Sequence, residues 1–402
     1  MKLRHALRSS LMGVALFALA GLLACADNSD AAAAGGAAGE SSYIIASLLF
    51  GADTTTTYVS ILNSLGAQTI DYAQAREFSG AADVWVHEGS VFIADAESLT
   101  ITKFSLADGQ LTEGAKLGFS AYGLTSFGFY LNAFVAADKA YLLNGAAGYV
   151  VWNPQSMEIT GTIEFPSNDE HAPLHLFPGY ADRASQVRDG KLYQPLYWTD
   201  DTYFQYDVDS VILVVDIATD QISSVITAPC PGLDFVTTDE SHNLYFSSWV
   251  YAAGAALVLQ QPTTCVFEIP AGPAEPSVAF TFPEIAGGRQ GAAFRYLRSG
   301  WAVFSALDGE HAGLDASSQV SDIAFGSNWR FWSFDLASGA GTVIDGIPWN
   351  AGGQYTFDID QKTLMLVPDG SYTSTVVYDI TNASAPVPVF STKGWSTRLF
   401  KL

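Results

Sequence analysis

Ser210–Ile226 reads SVILVVDIATDQISSVI, an apolar strand followed by an aspartate, a short turn and a second strand of alternating character. Such a phrase is a β-hairpin: the period-two pattern buries one face of each strand, and the aspartate and its neighbours suit the turn. It recurs as TYVSILNSLGAQTI (57–70), LTITKFSLADGQLTE (99–113), GYVVWNPQSMEITGTI (148–163), TCVFEIPAGPAEPSVAF (264–280), WRFWSFDLASGAGTVI (329–344) and STVVYDITNASAPVPVF (374–390). Aligned on the polar residue that ends the first strand, the seven copies place Asn63, Ser105, Asn153, Asp216, Glu268, Asp335 and Asp379 in register, 42 to 67 residues apart. Repeats of this length suit blades of four antiparallel strands, the longer steps marking insertions.

Two further strands joined by a tight turn precede most copies, as in DVWVHEGSVFIAD, VRDGKLYQPLYW and YLRSGWAVFSA. Each unit therefore runs a, b, c, d. The first lacks an a strand, because Ser42–Leu49 supplies b. The missing strand stands at the other end of the chain, where WSTRLFKL (395–402) follows the last d strand. An all-β, seven-bladed propeller closed by its C-terminal strand is expected, since that pairing removes the open edges of the array. A large β-sandwich or two β domains is the competing architecture.

Composition agrees. Gly and Pro number 36 and 16, and 25 Phe, 18 Tyr and 9 Trp supply the aromatic strands. Only 15% of residues are charged, and the net charge is −23, which argues against nucleic acid as a partner because phosphates would be repelled.

The N-terminus reads as an address. Lys2, Arg4 and Arg8 precede an apolar run from Leu11 to Leu23, the layout of a signal peptide. Leu22, Leu23, Ala24 and Cys25 resemble the bacterial lipobox, and the resemblance implies lipidation of Cys25 and anchoring in the envelope, at the outer membrane because Ala26 rather than aspartate follows. Residues 1–24 are then signal, 25–41 a lipidated tether and 42–402 one propeller domain, expected to be monomeric and membrane-bound through lipid alone. Loss of three cations leaves 15 Lys and Arg against 41 Asp and Glu, a net charge of −26. The alanine- and glycine-rich segment 26–41 has a reach of roughly 20 Å. In an oxidising envelope Cys230 and Cys265, at the same end of one blade, are expected to form a disulfide.

The lipobox, the phrases LTITKFSLADGQLTE and VVWNPQSMEITGTI, the WRFWSFDL segment and the terminal STKGWSTRLFKL together resemble bacterial lipoprotein β-propellers of the MxcI-like type, which accompany myxobacterial siderophore systems. That resemblance implies a seven-bladed propeller beside iron-chelate uptake and transfers no catalytic motif. VFIADAESLTITKF also resembles strand phrases of sugar-lactone hydrolases and NHL-type propellers.

Motifs for chemistry are sparse. His171 and His175 lie four apart, but Pro173 between them forbids a regular helix, and the HExxH glutamate is absent. Asp207/Asp209 and Asp358/Asp360 alternate like calcium ligands without the rest of an EF-hand loop, so calcium is the one metal left open and no cofactor is identified. No GxSxG occurs. The connections b-to-c and d-to-a share one face of a propeller and carry the long insertions, whereas a-to-b and c-to-d turns are expected to be short. The ligand site is therefore placed on the insertion face. Tyr197, Trp198, Tyr203, Phe204 and Tyr206 offer an aromatic wall there, with Arg183 and Arg289 as cations. Trp198, Tyr203, Tyr206, Arg183 and Arg289 are the candidate ligand-binding residues, although Asp200, Asp201, Asp207, Asp308 and Glu310 favour a cationic ligand, calcium or a basic partner. Two functions stand: a non-enzymatic binding or scaffold propeller, serving a small molecule such as an iron chelate or an envelope transport protein, and a metal-dependent lactonase or esterase.

Overall fold

A computed structural model describes residues 42–402 except 52–53, 67, 71, 108, 125–131, 167–168, 180–183, 261, 316 and 354. The expected signal and tether, with Cys25, and the candidate Arg183 lie outside the described residues. Seven antiparallel sheets form the blades of a propeller. Strands Asp83–His87, Asn132–Ala136, Leu233–Thr238, Gly291–Arg298 and Tyr355–Ile359 are the inner strands of blades two, three, five, six and seven. In blade four the inner strand is split into His175–Pro178 and Gln186–Arg188, both paired to Lys191–Thr199.

The ring closes as the sequence predicts. Trp395–Lys401 pairs antiparallel with Tyr43–Phe50, making blade one from the last strand and the first ones. A second closure was not legible. Thr69 and Ile70 pair in parallel with Ser391 and Thr392 on the outer strand of blade seven, and the Tyr72 hydroxyl donates to the Lys393 carbonyl. The outer strand of blade one is therefore Arg76–Ser79, not the AQTI segment that the repeat alignment assigns to it. As a consequence residues 63–75 form a long c-to-d connection on the face expected to carry short turns only.

The aligned polar residue has a mechanical role in four copies. Asp216 Oδ1 accepts from the backbone N–H groups of Ala218 and Thr219, and Asn153, Asp335 and Asp379 make the same kind of bond to the residues two ahead. These side chains stand in for a backbone partner and set the c-to-d turn. Between blades the core is apolar and aromatic, with Trp85, Trp152 and Trp329 fully buried. Trp152 Nε1 donates to Asn132 Oδ1 at 2.8 Å, satisfying the one polar atom its burial brings inside.

Two cationic side chains cross between inner strands. Arg398 of blade one and Asp83 of blade two are both buried, Nη2 lying 2.8 and 2.9 Å from the two carboxylate oxygens. Arg295 of blade six reaches Asp358 of blade seven at 2.8 Å. Asp360 receives Lys401 and the Tyr43 hydroxyl. The pair Asp358/Asp360 that the sequence leaves open to calcium is thus engaged by protein donors. No helix among the described residues is long and apolar enough to cross a membrane.

Cys230 and Cys265 are disulfide-bonded, as expected. They join the entry to blade five to its third strand, closing a loop of 35 residues. Chain entropy values such a loop at about 4 kcal/mol. The Cys230→Ser/Cys265→Ser variant should lose up to that amount in urea unfolding, and an unchanged midpoint would show that the reduced chain is equally constrained.

Candidate functional site

Insertions from blades three, four, five and six gather on the b-to-c face. In blade four the connection 200–205 is organised by Asp200, whose Oδ1 accepts from the N–H groups of Phe204 and Gln205 at 2.8 and 3.0 Å. Tyr203, at φ 57°, takes the left-handed conformation that turns the loop. The Val250–Leu259 helix of blade five and the Val320–Phe325 helix of blade six pack beside it.

Most of the anticipated aromatic wall holds these insertions together. The Tyr203 ring lies 5.3 Å from Phe177, 5.8 Å from Trp249 and 5.0 Å from Tyr251. Tyr206 is buried and sits 5.9 Å from Tyr197. Burial pushes the Tyr203 hydroxyl up to about 12, with Asp234 and Asp201 adding to the effect, so it stays protonated at neutral pH.

Trp198 points to the other side of its strand, as alternation requires. It is stacked by His171 with ring centroids 3.7 Å apart. His171 Nδ1 is 2.8 Å from Asp207 Oδ2, so the imidazole is held by a ring on one face and a carboxylate on one edge. His175 takes a different partner, lying 3.5 Å from Asp201. The two histidines do not converge, and among the described residues no group of three His, Cys, Asp or Glu side chains is placed to hold a metal ion.

Beside the His171–Asp207 pair a cavity of about 660 Å³ opens to solvent, lined by Glu170, His171, Leu174, Gln205, Tyr206, Asp207 and Leu259 among others. Of the candidate binding residues, Tyr206 lines it and Trp198 stacks on the lining His171. Arg289 does not join them. Its guanidinium bonds Asp308 Oδ2 through Nε and Nη2, both at 3.2 Å, and lies 5.9 Å over the ring of Trp332 in blade six. Asp308 also caps the short helix at 309–312 by accepting from the His311 N–H. Arg289 is therefore braced against Asp308 and not at the cavity, whose described lining carries the carboxylates Glu170 and Asp207. The pairing of His171 with Asp207, 36 residues away, has no sequence motif by which to find it.

No family model matches the chain, and no curated protein matches it. Solved structures are similar in fold. The periplasmic gluconolactonase PpgL of Pseudomonas aeruginosa aligns with a TM-score of 0.55 at 11% identity, over 90% of this chain and 99% of that one. A putative 6-phosphogluconolactonase from Bacteroides fragilis aligns with a TM-score of 0.53 at 9% identity, over 92% and 100%. At these identities the likeness is one of architecture, and the chain is a seven-bladed β-propeller.

Proposed function

We propose that this chain is an envelope-anchored binding propeller that takes a small neutral or cationic ligand on its insertion face. The observation that carries the reading is the cavity itself, built by connections from blades three, four and five and lined by Glu170 and Asp207 with no lysine or arginine among its described lining residues. Carboxylates without a local cation repel anions and attract positive charge. If the resemblance to siderophore-associated lipoproteins holds, the ligand is a neutral or cationic iron chelate, handed on to a transport protein.

Anchoring would orient the site. Strand Tyr43–Phe50 begins beside Leu62 and Lys401, at the end of the ring opposite the insertions. A tether ending at residue 41 therefore meets the domain on that face, and a lipid at Cys25 leaves the cavity directed away from the membrane. Acyl labelling and membrane fractionation are expected to be lost in Cys25→Ser and retained in a variant with the tether lengthened; retention in Cys25→Ser removes the anchor.

The binding test is calorimetric titration of the full chain in detergent with ferric chelates of graded charge. Cationic and neutral chelates should bind, strongly anionic ones should not, and Glu170→Lys/Asp207→Lys should weaken a cationic ligand by tenfold or more. Equal binding of all charges, or no effect of the reversal, would remove the cavity from the proposal. A second reading, a propeller hydrolase of the lactonase or esterase kind, is favoured by the full-length fold likeness to PpgL and by the histidine–aspartate pair at the cavity.

A further inference from the structure

We infer that His171 and Asp207 form a metal-independent general-base unit that hydrolyses small uncharged or cationic carboxylic esters in the cavity; this deepens the hydrolase reading and rests on it. The geometry leaves little freedom in the assignment of roles. Asp207 occupies the Nδ1 edge of the imidazole at 2.8 Å and Trp198 covers one face at 3.7 Å. His171 nevertheless lines the cavity and keeps 29% of its side-chain surface exposed. With Nδ1 taken by Asp207, Nε2 is the ring nitrogen assigned to a bound substrate. A carboxylate accepting from Nδ1–H fixes the tautomer in which Nε2 carries the lone pair, the form required of a base.

Among the described lining residues there is no serine, threonine or cysteine, and the attacking group is assigned to water. Water oxygen bonds to the ester carbonyl carbon, its proton passes to His171 Nε2, and the carbonyl π pair moves onto oxygen. The imidazolium so formed faces Asp207. When the tetrahedral intermediate collapses, the carbon–oxygen bond to the leaving group breaks and that oxygen takes the proton from Nε2. Acid and alcohol leave, and His171 is again neutral. Gln205, exposed at the cavity, has an amide able to donate to the developing oxyanion. Glu170 and Asp207 select against phosphorylated and carboxylated substrates for the same electrostatic reason that they select against anionic ligands. Amides, whose leaving group needs fuller protonation, are poorer substrates than esters.

The test uses the full chain in detergent with EDTA present, and as probes acetylcholine, an uncharged γ-lactone and succinate monoethyl ester. The first two should be turned over and the anionic ester should not. His171→Ala should lose about 10²- to 10⁴-fold in kcat, the range a positioned base contributes. Free imidazole should restore part of that loss, which a purely structural histidine would not permit. Asp207→Asn, altering a positioning residue, should lower kcat with KM little changed. A cooperative unfolding transition in each variant keeps the comparison valid, and His171→Gln serves as a second variant if the alanine form does not fold. Turnover of the probes that survives both His171 substitutions overturns the dyad and leaves the hydrolase reading standing. Absence of turnover in the parent protein overturns both and leaves the binding reading untouched.

Discussion

A chain ending at Gly394 should not fold to a stable propeller. Loss of a terminal octapeptide is ordinarily tolerated when the terminus is exposed. Here Trp395, Leu399 and Phe400 are buried and Arg398 is 1% exposed. Each large apolar side chain contributes about 1.5–3 kcal/mol through burial. Removing the strand also exposes the edge of Tyr43–Leu48 and strands the buried Asp83 without its cation, itself a loss of about 3–5 kcal/mol. Together these match the whole stability of a typical domain, about 5–15 kcal/mol. The parallel pairing of Thr69 and Ile70 with blade seven would remain, but it spans two residues and cannot replace the ladder. Near-ultraviolet circular dichroism and urea unfolding of the truncated chain should show no cooperative transition; melting like the full-length protein would refute ring closure as the source of stability.

Removing one partner of the Arg398–Asp83 pair should produce the next largest effect, and it should depend on pH. Burial pushes the Asp83 carboxyl above its ordinary value, while the Arg398 guanidinium pulls it back down. In Arg398→Met the pull is lost and the folded-state pKa rises further. A carboxyl whose folded pKa exceeds its unfolded value, near about 3.9, contributes stability that is present below the unfolded value and lost as pH rises through the folded one. Arg398→Met should therefore differ little from the parent protein near pH 4 and lose about 3–5 kcal/mol by neutral pH, where an unpaired buried charge must be accommodated. The double variant Arg398→Met/Asp83→Leu should recover most of that loss and flatten the pH dependence, since an apolar pair of similar volume removes both desolvation costs. A loss in Arg398→Met that is the same at every pH would mean that packing of the long side chain, not charge, is what the pair supplies.

Residues that repeat with period two and end on a turn-setting side chain announce themselves without a fold. Six of the seven hairpins, the closing strand at 395–401 and the Cys230–Cys265 bond were legible for that reason, because alternation, local turn chemistry and end-matching are properties of short segments or of simple counting along the chain. Outer strands carry less signal. Arg76–Ser79 is half exposed throughout, so the more regular AQTI was the better sequence match, and only packing against blade seven decided otherwise. The Val250–Leu259 helix escaped notice because its first seven residues, Val250 to Ala256, are all buried; a helix covered on all sides shows no polar stripe from which to read its period. The cavity was hidden for a related reason. His171 is contributed by the connection from blade three to blade four and Asp207 by the third strand of blade four, and Arg289, which looked like a free cation, is matched by Asp308. Composition and pattern along one segment settled which strands form and how the ring ends; which charges face each other across the insertions was settled by the docking of separate blades, because a side chain's electrostatic neighbours are set by distance in space and not by separation along the chain.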